Sequence, residues 1–239
     1  MGAAGPAALL PRHDFADAAT LAAALAETVA AQLREAIDAR SRATLAVSGG
    51  RTPELFFAAL AAQPLDWARV TVTLVDERWV PVDDERSNEA LLRRHLLQGP
   101  AAAARLVGLV TTAASPEDGL AEVGRRVDEL ALPLDVVVLG MGTDGHTASF
   151  FPGGDRLAEA LDPAGGLPVL PMRAPGAGEP RITLTLPLIV AARAVYVHIE
   201  GAEKAAALAA ALGAGPVEAM PIRAVLRSAA CRPEVFWCP

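Results

Sequence analysis

The feature that most constrains this chain is the alternation of short, continuous apolar runs with segments of helical period. Residues 43–47, 70–75, 105–110, 135–139 and 194–199 read as strands. Between them lie segments patterned as helices at 14–40, 53–62, 87–97, 115–130 and 201–212. In the first of these, Leu21, Leu25, Val29, Leu33 and Ile37 recur at i, i+4 spacing and form one apolar face. Strands without polar alternation are those buried on both faces of a parallel sheet. Strand and helix in turn predict an α/β fold, a doubly wound and mostly parallel sheet of Rossmann-like type. A length of 239 residues suits one such domain spanning 1–239. Ligands of these folds bind beyond the carboxyl ends of the strands.

The remaining segments read less regularly. Residues 151–180 are rich in Gly and Pro and predict a long irregular stretch with one helical turn and one strand near Val169. Residues 181–186 alternate like a strand. A short helix at 222–226 and a strand near Val235 close the chain.

Composition excludes several classes of function. The formal net charge is −7, and the basic residues are scattered, which argues against nucleic-acid binding. A phosphate site on such a chain must be built locally from a few cations and backbone N–H groups. Residues 1–10 lack the basic region of a secretory signal, and Pro6 stands where a myristoylation signal needs Ser or Thr. No apolar stretch reaches the length of a membrane helix, so a cytoplasmic protein is expected. Cys231 and Cys238 match no zinc spacing and are expected as free thiols.

Four polar clusters fall at strand ends. Ser48-Gly49-Gly50-Arg51-Thr52-Pro53 follows the first strand. Its glycines allow close backbone approach to a ligand, and the helix after it favours an anion. An ordinary strand-to-helix turn would look the same. The segment has neither the G-x-G-x-x-G spacing nor the Lys of a P-loop, so no nucleotide site is indicated. Asp76-Glu77-Arg78 follows the second strand. Three charges at the mouth of a buried sheet are expensive unless paired or used, although a solvated turn with a local ion pair is the alternative. Ser87 and Asn88 are polar supports or simply a helix N-cap.

The third cluster is Gly140-Met141-Gly142-Thr143-Asp144-Gly145-His146-Thr147-Ala148-Ser149. It places an imidazole and a carboxylate in a Gly-rich loop after the strongest strand signal in the chain. An imidazole of ordinary pKa can take a proton from water at neutral pH. His13, His95 and His198 lack this setting and read as surface or packing residues. The fourth cluster is a pair of cations. Arg181 opens a strand, and Lys204 lies in a first helical turn, where it opposes the helix dipole unless an anion sits nearby.

Taken together, Ser48-Gly-Gly-Arg-Thr-Pro53, Asp76-Glu-Arg-Trp-Val-Pro81 and the run from Gly140 to Gly153 resemble the glucosamine-6-phosphate isomerase/6-phosphogluconolactonase family. So do Arg181-Ile-Thr-Leu-Thr-Leu-Pro187 and the segment 201–204. The resemblance covers about residues 43–226. It implies a modified Rossmann-like fold of the glucosamine-6-phosphate deaminase type, with no metal and no organic cofactor. It implies hydrolysis of 6-phosphoglucono-δ-lactone to 6-phosphogluconate in the pentose phosphate pathway, and a monomer or weak homodimer.

By the same resemblance His146 is the general base, oriented by either Asp144 or Asp76, and Arg78 stabilises charge near the carbonyl. Ser48, Gly49, Gly50, Arg51, Arg181 and Lys204 form the phosphate and sugar site. The deaminases of this scaffold place an acidic residue shortly after the loop histidine and a tyrosine at the position of Arg78. Residues 147–154 hold no Asp or Glu, so the lactonase is favoured. A binding protein that has lost catalysis is disfavoured because His146 and Arg78 are both present. A serine hydrolase is disfavoured because Gly-x-Ser-x-Gly is absent.

Overall fold

The computed structural model describes residues 10–239; the reading of residues 1–9 as neither signal nor lipidation motif lies outside the described residues. Its main sheet has seven parallel strands in the order β1-β10-β9-β6-β2-β3-β5. These are β1 (Arg12–Asp14), β2 (Ala43–Val47), β3 (Val70–Leu74), β5 (Arg105–Val107), β6 (Val136–Leu139), β9 (Ala194–Glu200) and β10 (Glu234–Cys238). A second, antiparallel sheet orders β4 (Asp76–Arg78), β8 (Arg181–Leu184) and β7 (Val169–Met172).

Central strands β2 and β6 are buried along their whole length, as their predominantly apolar sequences require, with Thr44 the one polar residue between them. The direction of winding reverses between them. From β2 the chain proceeds to β3 and β5 on one side, and from β6 to β9 and β10 on the other. That reversal opens a crevice at the carboxyl ends of β2 and β6.

Helices cover the sheet. The longest, α1 (Ala18–Arg40), buries Leu21, Leu25, Val29, Leu33 and Ile37. It begins at Ala18, not at residue 14 as its period suggested. Asp17 caps it by accepting from the Thr20 N–H at 2.8 Å. Residues 12–14 instead form β1, an exposed edge strand paired in parallel with β10. Three consecutive polar residues give no apolar signal, and the pairing depends on a partner more than 200 residues away.

The other helices are α2 (Glu54–Ala61), α3 (Asn88–His95), α4 (Pro116–Asp128), α5 (Leu157–Ala160), α6 (Leu186–Val190), α7 (Ala202–Leu212) and α8 (Ile222–Leu226). Ser87 caps α3 through the Ala90 N–H, and Ser115 caps α4 through the Asp118 N–H. The irregular stretch of residues 151–180 holds one helical turn, α5, and one strand, β7, as its sequence suggested.

Residues 76–78 are a strand, not a solvated turn. Glu77 is fully buried. Its carboxylate accepts from Ser87 Oγ at 3.0 Å, and from the backbone N–H groups of Arg78, Asn88 and Glu89 at 2.7, 2.8 and 2.7 Å. One side chain thus fixes the small sheet to the N-terminus of α3, where a negative charge is favoured. Burial nevertheless pushes this carboxyl up to about 6, against the pull of those donors. No described helix is long and apolar enough to cross a membrane.

Candidate active site

The loops after β2 and β6 are stitched together at the winding reversal. Ser48 N–H donates to Val138 C=O at 2.9 Å, and Gly140 N–H donates to Ser48 Oγ at 3.0 Å. They form part of the wall of a cavity of about 520 Å³. Ser48, Gly49, Gly50, Arg51, Asp76, Arg78, His146, Arg181 and Lys204 all line it. Segments far apart in sequence therefore converge on one space, as the clusters at strand ends required.

Asp144 faces the same imidazole without itself lining the cavity. His146 Nδ1 lies 2.6 Å from Asp144 Oδ1, and the same oxygen accepts from the His146 backbone N–H at 3.0 Å. This short loop contact holds the Asp144 carboxyl below the usual carboxylate range, chiefly through the imidazole hydrogen bond. The Phe151 ring stacks on the imidazole, with centroids 4.5 Å apart and planes inclined by 27°. Gly142 is required by this packing. A Cβ there would lie 2.2 Å from His146 Nδ1 and 2.6 Å from Asp144 Oδ1.

The sequence left Asp76 and Asp144 as alternative partners of His146. Asp144 makes that contact. Asp76, 5% exposed, accepts from Ser149 Oγ at 2.5 Å and lies 3.8 Å from an Arg181 nitrogen. Ser149, the last residue of the third cluster, is thus the support of Asp76, 73 residues away.

Arg78 and Arg181 face each other in register on β4 and β8. Arg181 is buried, donates to Ala177 C=O at 2.7 Å and stands over the Phe151 ring at 5.5 Å. Burial lowers its pKa, and Asp76 opposes that shift. Arg78 donates to Arg86 C=O, while its Nε is buried without a partner.

Lys204 occupies the first turn of α7 and donates to Thr52 Oγ1 at 3.0 Å. Burial lowers its pKa and Glu200 raises it. The Ser48-to-Thr52 turn and Lys204 therefore meet at one end of the cavity. Gly49 is confined there by Asn88. A Cβ on Gly49 would lie 1.9 Å from Asn88 Oδ1, and Asn88 Nδ2 donates to Asp76 C=O at 3.0 Å.

His198 corrects the sequence reading in part. It packs inside β9, 2% exposed, but it also lines the cavity. Its position near the carboxyl end of a parallel strand was the available signal. Phe151 was visible only as part of a motif; its stacking on His146 is a tertiary contact. Among the described residues no group of three or more His, Cys, Asp or Glu is arranged to hold a metal ion. Cys231 and Cys238 are free thiols.

Comparison with known proteins gives the family and the fold. The family model for glucosamine-6-phosphate isomerases/6-phosphogluconolactonase matches residues 16–237. A 6-phosphogluconolactonase of Rhizobium meliloti is 52% identical over 227 residues, covering 95% of this chain and 98% of that protein. One from Pseudomonas aeruginosa is 46% identical, covering 94% and 93%. The crystal structure of a 6-phosphogluconolactonase from Shewanella baltica superimposes with a TM-score of 0.95 at 40% identity, covering 98% of this chain and all of that one. The chain belongs to the glucosamine-6-phosphate isomerase/6-phosphogluconolactonase family. It is an enzyme of the carboxylic ester hydrolase class.

Proposed function

We propose that the chain hydrolyses 6-phosphoglucono-δ-lactone to 6-phosphogluconate, the step after sugar-phosphate oxidation in the pentose phosphate pathway, with His146 activating water. The observation that carries this reading is the His146 imidazole, held from behind by Asp144, opening on the same cavity as Lys204 and the Ser48-to-Thr52 turn. A base and an anion cradle in one cavity suit a substrate with a carbonyl at one end and a phosphate at the other.

The chemistry needs no group beyond those of the chain. Asp144 accepts from Nδ1 and so leaves Nε2 as the basic nitrogen. Nε2 takes a proton from water as the oxygen adds to the lactone carbonyl. The ring C–O bond then breaks, and the imidazolium returns that proton to the departing hydroxyl. A positioned base contributes about 10²–10⁴-fold. Asp144 stabilises the imidazolium, and Arg78 on the cavity wall stabilises the developing oxyanion. Gly49, Gly50, Arg51, Arg181 and Lys204 supply binding energy through the phosphate and sugar. This energy positions the reacting carbon without entering the chemical step.

The test is a direct comparison of two reactions. Acid release from 6-phosphoglucono-δ-lactone, corrected for spontaneous hydrolysis, is expected to be strongly accelerated. Ammonia release from glucosamine 6-phosphate is expected to be absent. Ammonia release without lactone hydrolysis would replace the reading with the deaminase one.

A further inference from the structure

Arg223 takes no part in the mechanism above, yet it lies buried in α8, 5% exposed. A buried guanidinium is expensive unless its donors are met. Here all three nitrogens donate to main-chain carbonyls. Nε donates to Ala211 at 3.2 Å and Nη1 to Pro216 at 3.0 Å. Nη2 donates to Ala210 at 2.9 Å and to Ala214 at 3.1 Å. Ala210 and Ala211 lie in the last turn of α7. Carbonyls there have no acceptor role inside the helix and carry the negative end of its dipole. The Arg223 fork therefore caps α7 from α8. The intervening turn closes tightly over it: Gly215 has a φ of +139°, and a Cβ there would lie 2.6 Å from Arg223 Nη1.

In the other direction α8 reaches the loop of the base. Ile222 N–H donates to Gly145 C=O at 2.9 Å. Gly145 stands between Asp144 and His146, with a φ of +80°. A Cβ on it would lie 2.7 Å from Met220 Cβ, so the loop packs directly on the residues that enter α8. Within the loop, Gly142 N–H donates to His146 C=O at 2.9 Å and Gly145 N–H to Gly142 C=O at 3.0 Å. These two bonds set its internal shape, and Met220 and Ile222 brace it from outside.

Ile222 and Arg223 are consecutive. One holds the loop of His146, and the other holds the helix whose first turn carries Lys204. The Lys204 end of α7 is tethered separately, through Thr52 Oγ1 at 3.0 Å. Slack introduced at Arg223 therefore falls on α8 and on the loop that it braces. Arg227 offers a contrast. It donates to Gly213 and Gly215 C=O, both at 2.8 Å, in the same turn, but to no carbonyl within α7.

We propose that Arg223 is a positioning residue for the base: by clasping α7 to α8 it fixes the catalytic loop, and so sets the span between His146 and the phosphate cradle. The roles of His146 and Lys204 in this inference rest on the proposed function.

The experiment measures lactone turnover, inorganic phosphate binding and the carbon-13 resonance of the Met220 methyl. It compares wild type with Arg223→Met, Arg223→Lys, Met220→Ala and Arg227→Met, well below their unfolding temperatures. Arg223→Met should lower kcat by about 10–100-fold, the effect of a base displaced by up to about 1 Å. Inorganic phosphate needs only the cradle and should bind within about twofold of wild type. The Met220 resonance should move in Arg223→Met and stay in place in Arg227→Met. Arg223→Lys keeps the charge but not the fork and should recover part of the rate. Met220→Ala, at a half-buried position, should fold and lower kcat by about three- to tenfold. Turnover by Arg223→Met within about threefold of wild type, or an equal loss in Arg227→Met, would overturn the proposal. Should Arg223→Met fail to fold, wild-type turnover by both Arg223→Lys and Met220→Ala would overturn it equally. No lactone hydrolysis by wild type would overturn the functional reading instead; the clasp itself would then stand or fall on whether the Met220 resonance moves.

Discussion

Gly142→Ala isolates the geometry of the base from the rest of the protein. Gly142 does not have the positive φ that would itself forbid a side chain. The new methyl would sit 2.2 Å from His146 Nδ1, 2.3 Å from Cε1 and 2.6 Å from Asp144 Oδ1. Ordinary contact begins near 3.4 Å. The ring must therefore retreat by 3.4 − 2.2 = 1.2 Å, and the stacked Phe151 restricts its path. A misplacement of about 1 Å costs on the order of 10²-fold in rate, or about 2.7 kcal/mol in the barrier. Steady-state lactone hydrolysis should show kcat lowered by about 10²-fold. Calorimetry should show 6-phosphogluconate affinity within about threefold of wild type, because the phosphate end is untouched. Thermal unfolding should change by no more than the 1–3 kcal/mol of a local overpacking. A variant with kcat within threefold of wild type would refute the claim that the Asp144–His146 geometry sets the rate.

Lys204→Ala should raise the dissociation constant for 6-phosphogluconate by about 10–100-fold, the loss of one charge-assisted hydrogen bond, while lowering kcat much less; equal losses in both would place Lys204 in the chemical step. The Glu77 carboxyl predicts a pH effect on stability. Its folded value of about 6 lies above its ordinary 4.5, so the folded chain holds a proton that the unfolded chain has released. Its contribution is fully present below pH 4.5 and lost as the pH rises to 6, by about 2 kcal/mol. Denaturant unfolding at pH 4.5 and 7 should show this slope reduced in Glu77→Gln; identical slopes would contradict it.

The parallel frame was legible because β2, β3, β6 and β9 are rich in apolar and β-branched residues without a charged face, as strands covered on both sides are. The cluster after each strand was legible for the same reason: in this architecture a strand end fixes a location. Pairings decided by tertiary contact were not. β1 is written in Arg12, His13 and Asp14, and β4 in Asp76, Glu77 and Arg78. Neither has a hydrophobic period, and each exists because a distant strand supplies its ladder. α6 escaped notice because it is one turn with Pro187 in its first positions. Asp144 and Asp76 were equal candidates in sequence. They parted only when Ser149 and Arg181, brought in from elsewhere in the chain, surrounded Asp76. His198 read as a packing residue because its neighbours Val197 and Ile199 are core. Its cavity face depends on the register of β9 against β6 and β10.

The most direct test of the account is the His146→Ala variant, assayed for lactone turnover and for 6-phosphogluconate binding in the same preparation. Turnover should fall by about 10²–10⁴-fold, with affinity for the product nearly unchanged. Turnover near the wild-type rate would remove the imidazole from the reaction.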